Sequence, residues 1–166
     1  METDERTTSG RYIAAGSLAL LAVVGFDLLL HGGVLSDLYD DPTPFLLDPG
    51  TAFRRIPLGY ASFAVLIVLV EWLMARLRIA GFRRGAVFGL EVGVLVWLSE
   101  VLGLASISTA RPVLLIGWFV GQTLELGVAG GILGAALAAG SLRPIIMRVV
   151  VFFAACVALG IVFQNV

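Results

Sequence analysis

Long apolar runs, separated by short polar segments, dominate the chain. Five of these runs approach or exceed the roughly 20 residues that a helix needs to cross the hydrocarbon core of a bilayer. We predict spans at about 12–35, 56–77, 85–105, 112–139 and 144–163. The runs show no period-2 alternation, and a backbone in lipid must satisfy its own hydrogen bonds, so each run is predicted to be a helix. The pattern therefore predicts an all-α, five-span integral membrane helix bundle.

The segments outside the spans are short, apart from a predicted outer loop at 36–55. Residues 1–11 are mostly polar and are predicted to be a disordered cytoplasmic tail, which leaves 12–166 as a single transmembrane domain. Asp48 followed by Pro49 is typical of a helix start, with an N-cap and then proline in the first turn. A short interfacial helix is therefore expected to begin at Pro49 and to run into the second span.

The placement of arginine predicts the orientation, and all eleven basic residues are arginine. Eight of them would lie on one side of the membrane: Arg6, Arg11, Arg76, Arg78, Arg83, Arg84, Arg143 and Arg148. Three would lie on the other side: Arg54, Arg55 and Arg111. Since cytoplasmic segments carry an excess of arginine and lysine, the side with eight is assigned to the cytoplasm. The N-terminus is then inside and the C-terminus outside, in a multi-pass protein of the cell membrane.

Composition agrees with lipid as the surrounding solvent and as the main partner. Of the 166 residues 59% are hydrophobic and the mean hydropathy is +1.01, whereas a soluble domain is about half apolar. The net charge of −1 gives no support for a nucleic-acid partner. The single cysteine, Cys156, excludes an internal disulfide and cysteine-based metal motifs. No nucleophile arrangement, Walker motif or dinucleotide motif is evident, which favours a protein that is not an enzyme, and no particular cofactor is indicated.

Glycines four residues apart mark the third and fourth predicted spans. They are Gly85, Gly89 and Gly93 in the third span and Gly117, Gly121, Gly127, Gly130, Gly131 and Gly134 in the fourth. Glycines at this spacing form a groove on one helix face, which lets another backbone approach closely. The grooves predict either helix packing within the monomer or an interface with a second copy or with another membrane protein.

Ionisable residues inside the spans are the candidate functional groups, because charges in the hydrocarbon core are costly and rare. Asp27 and the one histidine, His31, are four residues apart in the first span and therefore share a helix face. Glu100 in the third span and Gln122 in the fourth are expected at a similar depth. Glu125 lies one turn deeper. These five residues are predicted to form an outer polar layer.

Three interpretations of the outer layer remain open. It could be a hydrogen-bonded structural network with neutral carboxyls, a proton or cation pathway, or a metal site of His31, Asp27 and Glu100. In the pathway interpretation, Asp27 and His31 exchange protons, and Glu100 and Glu125 continue the path inward. Transport or conduction of protons or cations is the leading functional hypothesis. The alternatives are an accessory subunit that packs through its glycine faces and a metal-dependent membrane enzyme.

An inner polar layer is predicted where Glu71 and Glu91 approach the arginine-rich connection between the second and third spans. Both are expected to form ion pairs with arginines such as Arg76 and Arg84, whose long side chains can reach the interface. Aromatic anchors at the outer interface are expected at Tyr39, Tyr60 and Trp118.

Four short motifs carry a resemblance to a known group of proteins. They are Phe26-Asp27-x3-His31-Gly32, Arg55-Ile56-Pro57-Leu58-Gly59-Tyr60, Gly89-x3-Gly93-x3-Trp97 and Gly130-Gly131-Ile132-Leu133-Gly134. In these motifs the chain resembles small bacterial multi-span membrane proteins of the domain-of-unknown-function type. The resemblance covers about 12–140 and implies a helical membrane fold, but no activity.

Overall fold

The structure is a computed structural model that describes residues 2–40 and 45–165, with side chains at 10–39 and 45–165. Of the described residues 87% are helical, and this part of the chain contains no strand. Five helices are long and apolar enough to cross a membrane, which confirms the predicted all-α, five-span bundle. The part of the predicted outer loop at 41–44 lies outside the described residues.

Six helices follow one another along the described chain. They are α1 at Glu2–Leu29, α2 at Asp37–Asp40, α3 at Pro49–Leu77, α4 at Phe82–Ile107, α5 at Pro112–Ala138 and α6 at Arg143–Phe163. A π-helical turn, Leu30–Val34, extends α1 and completes the first candidate span at Gly10–Val34. α2 is a single turn, and α3 to α6 are the other four candidate spans.

One helix, α1, begins earlier than the sequence predicts, and α3 begins at the predicted residue. α1 begins at Glu2, so the backbone that was expected to be a disordered tail is helical. α3 begins at Pro49 because the Asp48 carboxylate caps it by accepting a hydrogen bond from the Thr51 N–H at 3.0 Å. Hydrogen bonds from the side chain and the backbone of Thr51 lower the pKa of Asp48. The predicted cap is confirmed, and the interfacial segment and the second span form one continuous helix.

The closest helix pair is α4 with α5, and glycines allow the approach. A Cβ on Gly85 would collide with the carbonyl oxygen of Gly130, and a Cβ on Gly89 would collide with the carbonyl oxygen of Leu126. No side chain other than hydrogen fits at these two positions without moving a backbone. The glycine grooves of the third and fourth spans therefore face each other within the chain.

The other predicted packing glycines also contact this chain's own helices. Gly93 lies against Thr123, Gly134 against Gly81, Gly117 against Leu38, Gly121 against Leu30, Gly127 against Leu90 and Gly131 against Phe82. Packing within the monomer, the first of the two interpretations, thus accounts for every glycine in the predicted set.

The apolar core of the bundle lies between α1, α3 and α5, with a contribution from α6. Its fully buried members include Ala15, Ala19, Ala22 and Val23 of α1, Val70 and Met74 of α3, Ala129, Leu133 and Ala136 of α5, and Val149 of α6. Small residues on the buried face of α1 let the neighbouring helices come close, as is usual for helix pairs in membranes. α6 packs mainly on α1, and α4 mainly on α5.

The two ends of the bundle differ in charge. Arg11 donates hydrogen bonds to the carbonyls of Ala136 and Ala139, which the end of α5 leaves without helical partners. The end of the bundle near this contact is called the arginine-rich end, and it holds Arg11, Arg76, Arg78, Arg83, Arg84 and Arg143. At the opposite end, Arg111 donates to the carbonyl of Leu38 at 3.2 Å.

Candidate functional site

Three ionisable side chains from two helices converge in the half of the bundle that lies opposite the arginine-rich end. Asp27 and His31 follow each other by one turn at the end of α1, and Glu125 faces them from α5. His31 Nε2 lies 3.5 Å from Glu125 Oε1. One ligand atom from each of the three residues lies within 4.8 Å of the other two. The structure therefore brings together three residues of the predicted outer layer.

A π-helical turn positions His31 at the end of the first span. The Leu35 N–H donates to the carbonyl of Leu30 at 2.7 Å, a bond over five residues that widens the turn. Gln164, just beyond α6, donates to the Gly32 carbonyl at 2.7 Å and so links the turn to the last helix. π-helical turns are rare in proteins, and many of those that are found lie at functional sites.

Gly121 of α5 keeps the space beside the imidazole open. A Cβ at this position would lie 2.5 Å from Leu30 Cδ2 and 3.5 Å from His31 Nε2. The adjacent residue Gln122 lines the cavity in front of the site. Gly121 therefore contributes to the site by its lack of a side chain.

Two tyrosines hold the ionisable groups of α1. The Tyr39 hydroxyl lies 2.6 Å from His31 Nδ1 and accepts a hydrogen bond from the Trp118 indole N–H at 2.7 Å. Burial raises the pKa of Tyr39 to about 12, so its hydroxyl stays protonated at physiological pH. The Tyr60 hydroxyl donates to the Asp27 carboxylate at 3.4 Å. The aromatic residues that the sequence assigned to the interface thus make specific contacts at the site.

Glu125 lies at the most enclosed point of the site. Its side chain is 0% exposed, and neither carboxylate oxygen has a hydrogen-bond partner among the described residues. His31 Nε2, which faces it, also lacks such a partner in this part of the chain. Their separation of 3.5 Å exceeds the usual N–H···O hydrogen-bond length of about 2.7–3.2 Å. Because buried polar groups are nearly always paired, these two groups form an uncompensated polar pocket.

A cavity of about 580 Å³ leads to the site from the end opposite the arginine-rich end. Asp27 and His31 form part of its wall. The wall also includes Tyr39, Tyr60, Trp118, Gln122 and the exposed Arg55. In the other direction, the described structure continues as packed apolar core, with Val23 one turn before Asp27 and Leu126 beside Glu125. The site is therefore open toward one end and closed toward the other.

Glu100 does not join the site. Its side chain is exposed on α4. The neighbouring residues Trp97, Val101 and Leu104 of the same helix are partly buried. α4 packs mainly on α5, so that only one face of this helix is covered. The direction of its side chain separates Glu100 from the other acids of the predicted layer.

The inner polar layer also differs from the prediction. Among the described residues, no arginine nitrogen lies within 4.0 Å of the Glu71 or Glu91 carboxylate. Glu71 is half-buried against α1, and one of its carboxylate oxygens has no hydrogen-bond partner in the described chain. Glu91 is exposed in a shallow groove that Arg84 also lines. Arg76 lies over the ring of Trp72, at 5.3 Å from its centroid.

The fold and the site together define a multi-span helical membrane protein in which Asp27 and His31 line a cavity and the fully buried Glu125 lies behind His31. No protein-family model, curated protein or solved structure matches the chain.

Proposed function

We propose that the protein binds a divalent transition-metal cation between Asp27, His31 and Glu125 and transports it across the membrane. The observation that supports this proposal is the state of Glu125. Its carboxylate is fully buried, it has no hydrogen-bond partner among the described residues, and it faces an equally unpaired imidazole nitrogen at 3.5 Å. A cation bound between them would compensate both groups at once.

The distances within the site suit a metal ion. Metal–ligand bonds of about 2.0–2.2 Å place neighbouring ligand atoms roughly 3 Å apart and opposite ones roughly 4 Å apart. The three ligand atoms of this site lie within 4.8 Å of one another. Metal binding would therefore require the Asp27 and Glu125 carboxylates to move closer to His31 Nε2 by rotation of their side chains.

Charge and ligand chemistry favour a divalent transition metal. Two carboxylates carry a charge of −2, which a divalent cation neutralises, and a site without net charge avoids much of the penalty for burying isolated charges. Carboxylate with imidazole suits Mn²⁺, Fe²⁺ or Zn²⁺. Ca²⁺ and Mg²⁺ prefer oxygen ligands alone, and monovalent copper prefers sulfur ligands.

The tyrosines would support the ligands as outer-shell groups do in known metal sites. A histidine that binds a metal through one nitrogen almost always donates its other N–H to a neighbouring acceptor. In the tautomer with hydrogen on Nδ1, His31 donates to the Tyr39 hydroxyl at 2.6 Å, and its Nε2 lone pair is free for the metal. Tyr60 likewise holds the Asp27 carboxylate through a hydrogen bond at 3.4 Å.

The route through the protein follows from the cavity and the apolar core. With the arginine-rich end in the cytoplasm of a cell membrane, the N-terminus is inside, the C-terminus is outside and the cavity opens outward. The apolar core between the site and the cytoplasmic end then makes this an outward-open conformation. Inward release requires a rearrangement, and we assign it to the π-helical turn Leu30–Val34, because that turn carries His31 and contacts both α5 and α6.

Uptake of Mn²⁺ and Zn²⁺ into proteoliposomes tests the proposal. Glu125→Gln keeps the size of the side chain and removes one charged ligand, so uptake is expected to fall to the level of protein-free vesicles. Glu100→Gln is the matched control, since it removes an exposed carboxyl from the same half of the membrane. Its uptake is expected to stay within about twofold of the wild type. Size-exclusion profiles establish that both variants remain folded.

Two results would overturn the proposal. One is metal uptake by Glu125→Gln at the wild-type rate. The other is proton movement by a wild-type protein that binds neither Mn²⁺ nor Zn²⁺, which would make the site a proton relay.

A metal-dependent membrane enzyme is the second candidate, and the cavity favours it, because about 580 Å³ is far more space than one ion needs. Tight metal binding without uptake would make this candidate the better one. The accessory-subunit alternative depends on the glycine faces, which contact this chain's own helices and therefore do not support it.

A further inference from the structure

A groove runs between α4 and α6 along the surface of α5. Its lining shares no residue with the cavity that Asp27 and His31 line. It has a volume of about 440 Å³. It is lined by Phe82 of α4, by Val128, Ile132 and Ala135 of α5, and by Ile145, Arg148 and Phe152 of α6. The groove exists because α6 packs mainly on α1 and leaves α5 partly uncovered on this side.

Arg148 is the one charged residue in this lining. Its side chain is exposed, and no carboxylate of the described residues lies within 4.0 Å of it. Arg148 lies five residues after the start of α6 at Arg143, which is about 7.5 Å along the helix from the arginine-rich end. A guanidinium remains charged in any protein environment, and at this depth its long side chain can reach the head-group region, where an anionic group would pair with it.

We infer that this groove binds an anionic phospholipid from the leaflet at the arginine-rich end. Arg148 pairs with the lipid phosphate, whose oxygens match the planar fork of a guanidinium. One acyl chain lies along the apolar wall between Phe82 and Phe152. Basic pockets between membrane helices bind lipid head groups in this way. Because the rest of the lining is apolar, the groove suits a whole lipid better than free inorganic phosphate.

Native mass spectrometry of the purified full chain tests this inference with phosphatidylglycerol and phosphatidylcholine of identical acyl chains. The wild type is expected to retain phosphatidylglycerol preferentially. Arg148→Gln is expected to lower the retention of phosphatidylglycerol about fivefold, the effect of one arginine near an anionic head group. Arg143→Gln makes the same charge change on the same helix outside the groove, and its retention is expected to equal that of the wild type.

A second variant tests the acyl part of the site. Ala135→Phe fills the groove and leaves Arg148 in place, so phosphatidylglycerol retention is expected to fall to the level of phosphatidylcholine. Three results would overturn the inference. They are equal retention of both lipids by the wild type, unchanged retention by Arg148→Gln, and a dimer of the wild type that Ala135→Phe dissociates, since a second copy would then occupy the groove.

Discussion

Glu125 is the residue on which the proposed metal site depends most. Insertion scales put the cost of an acidic or basic residue at the centre of a membrane helix at about 2.5–3.5 kcal/mol, so an unpaired carboxylate there calls for a compensating partner. The described chain supplies no hydrogen-bond donor to it, and the nearest ionisable atom is His31 Nε2 at 3.5 Å. At the scale of single residues, a buried carboxylate and an imidazole nitrogen therefore face each other without hydrogen-bond partners among the described residues, and the proposed cation would compensate both.

Tyr39 supplies a prediction at this scale. Tyr39→Phe removes the hydroxyl that holds His31 Nδ1 and leaves the ring in its place. Loss of such an outer-shell partner typically lowers metal affinity 10- to 100-fold, and we expect a loss in this range for Mn²⁺ and Zn²⁺. Isothermal titration of the purified protein measures it. Tyr12→Phe, near the arginine-rich end of the first span, is the control, and equal affinities for the two variants would contradict the role given to Tyr39.

At the scale of helices, the contact between α4 and α5 holds the site-bearing helix in place. This contact brings backbone against backbone at Gly85 and Gly89, so it cannot adapt by rotating a side chain. α5 carries Gly121 and Glu125 on the face toward α1, while its glycine face packs on α4. A well-packed second face therefore fixes the direction in which Glu125 points.

Gly89→Ala tests this contact. The added methyl group would collide with the carbonyl oxygen of Leu126, and overpacking of this kind typically destabilises a protein by about 1–3 kcal/mol. The thermal unfolding midpoint in detergent is expected to fall accordingly. Gly103→Ala on the same helix places its Cβ where no atom lies within 4 Å, so its midpoint is expected to stay the same or rise slightly. Equal midpoints for the two variants would contradict the packing argument.

Sequence patterns predict the helices well and the directions of side chains less well. Apolar runs locate the five spans, and the spacing of Asp27 and His31 places both on one face of α1. The position of Glu100 along α4 predicts its depth, but a helix has several faces at each depth, and packing on α5 turns Glu100 outward. Tyr39 and Tyr60 join the site through chain reversals after α1, which no local pattern encodes.

At the scale of the whole molecule, the bundle is asymmetric along its axis. One end holds the cavity, the aromatic residues and the proposed cation site. The other end holds most of the arginines, the apolar core closes the path toward it, and the groove with Arg148 opens on that side. Under the proposed transport function, this asymmetry gives access to the site from one side at a time.

The central claim is that a metal ion binds between Asp27, His31 and Glu125. Anomalous diffraction from crystals grown with Mn²⁺ or Zn²⁺ tests it most directly. One strong peak is expected at about 2.0–2.2 Å from a carboxylate oxygen of Asp27, from Nε2 of His31 and from a carboxylate oxygen of Glu125. A map without a peak at this position, together with a direct hydrogen bond between His31 and Glu125, would contradict the account.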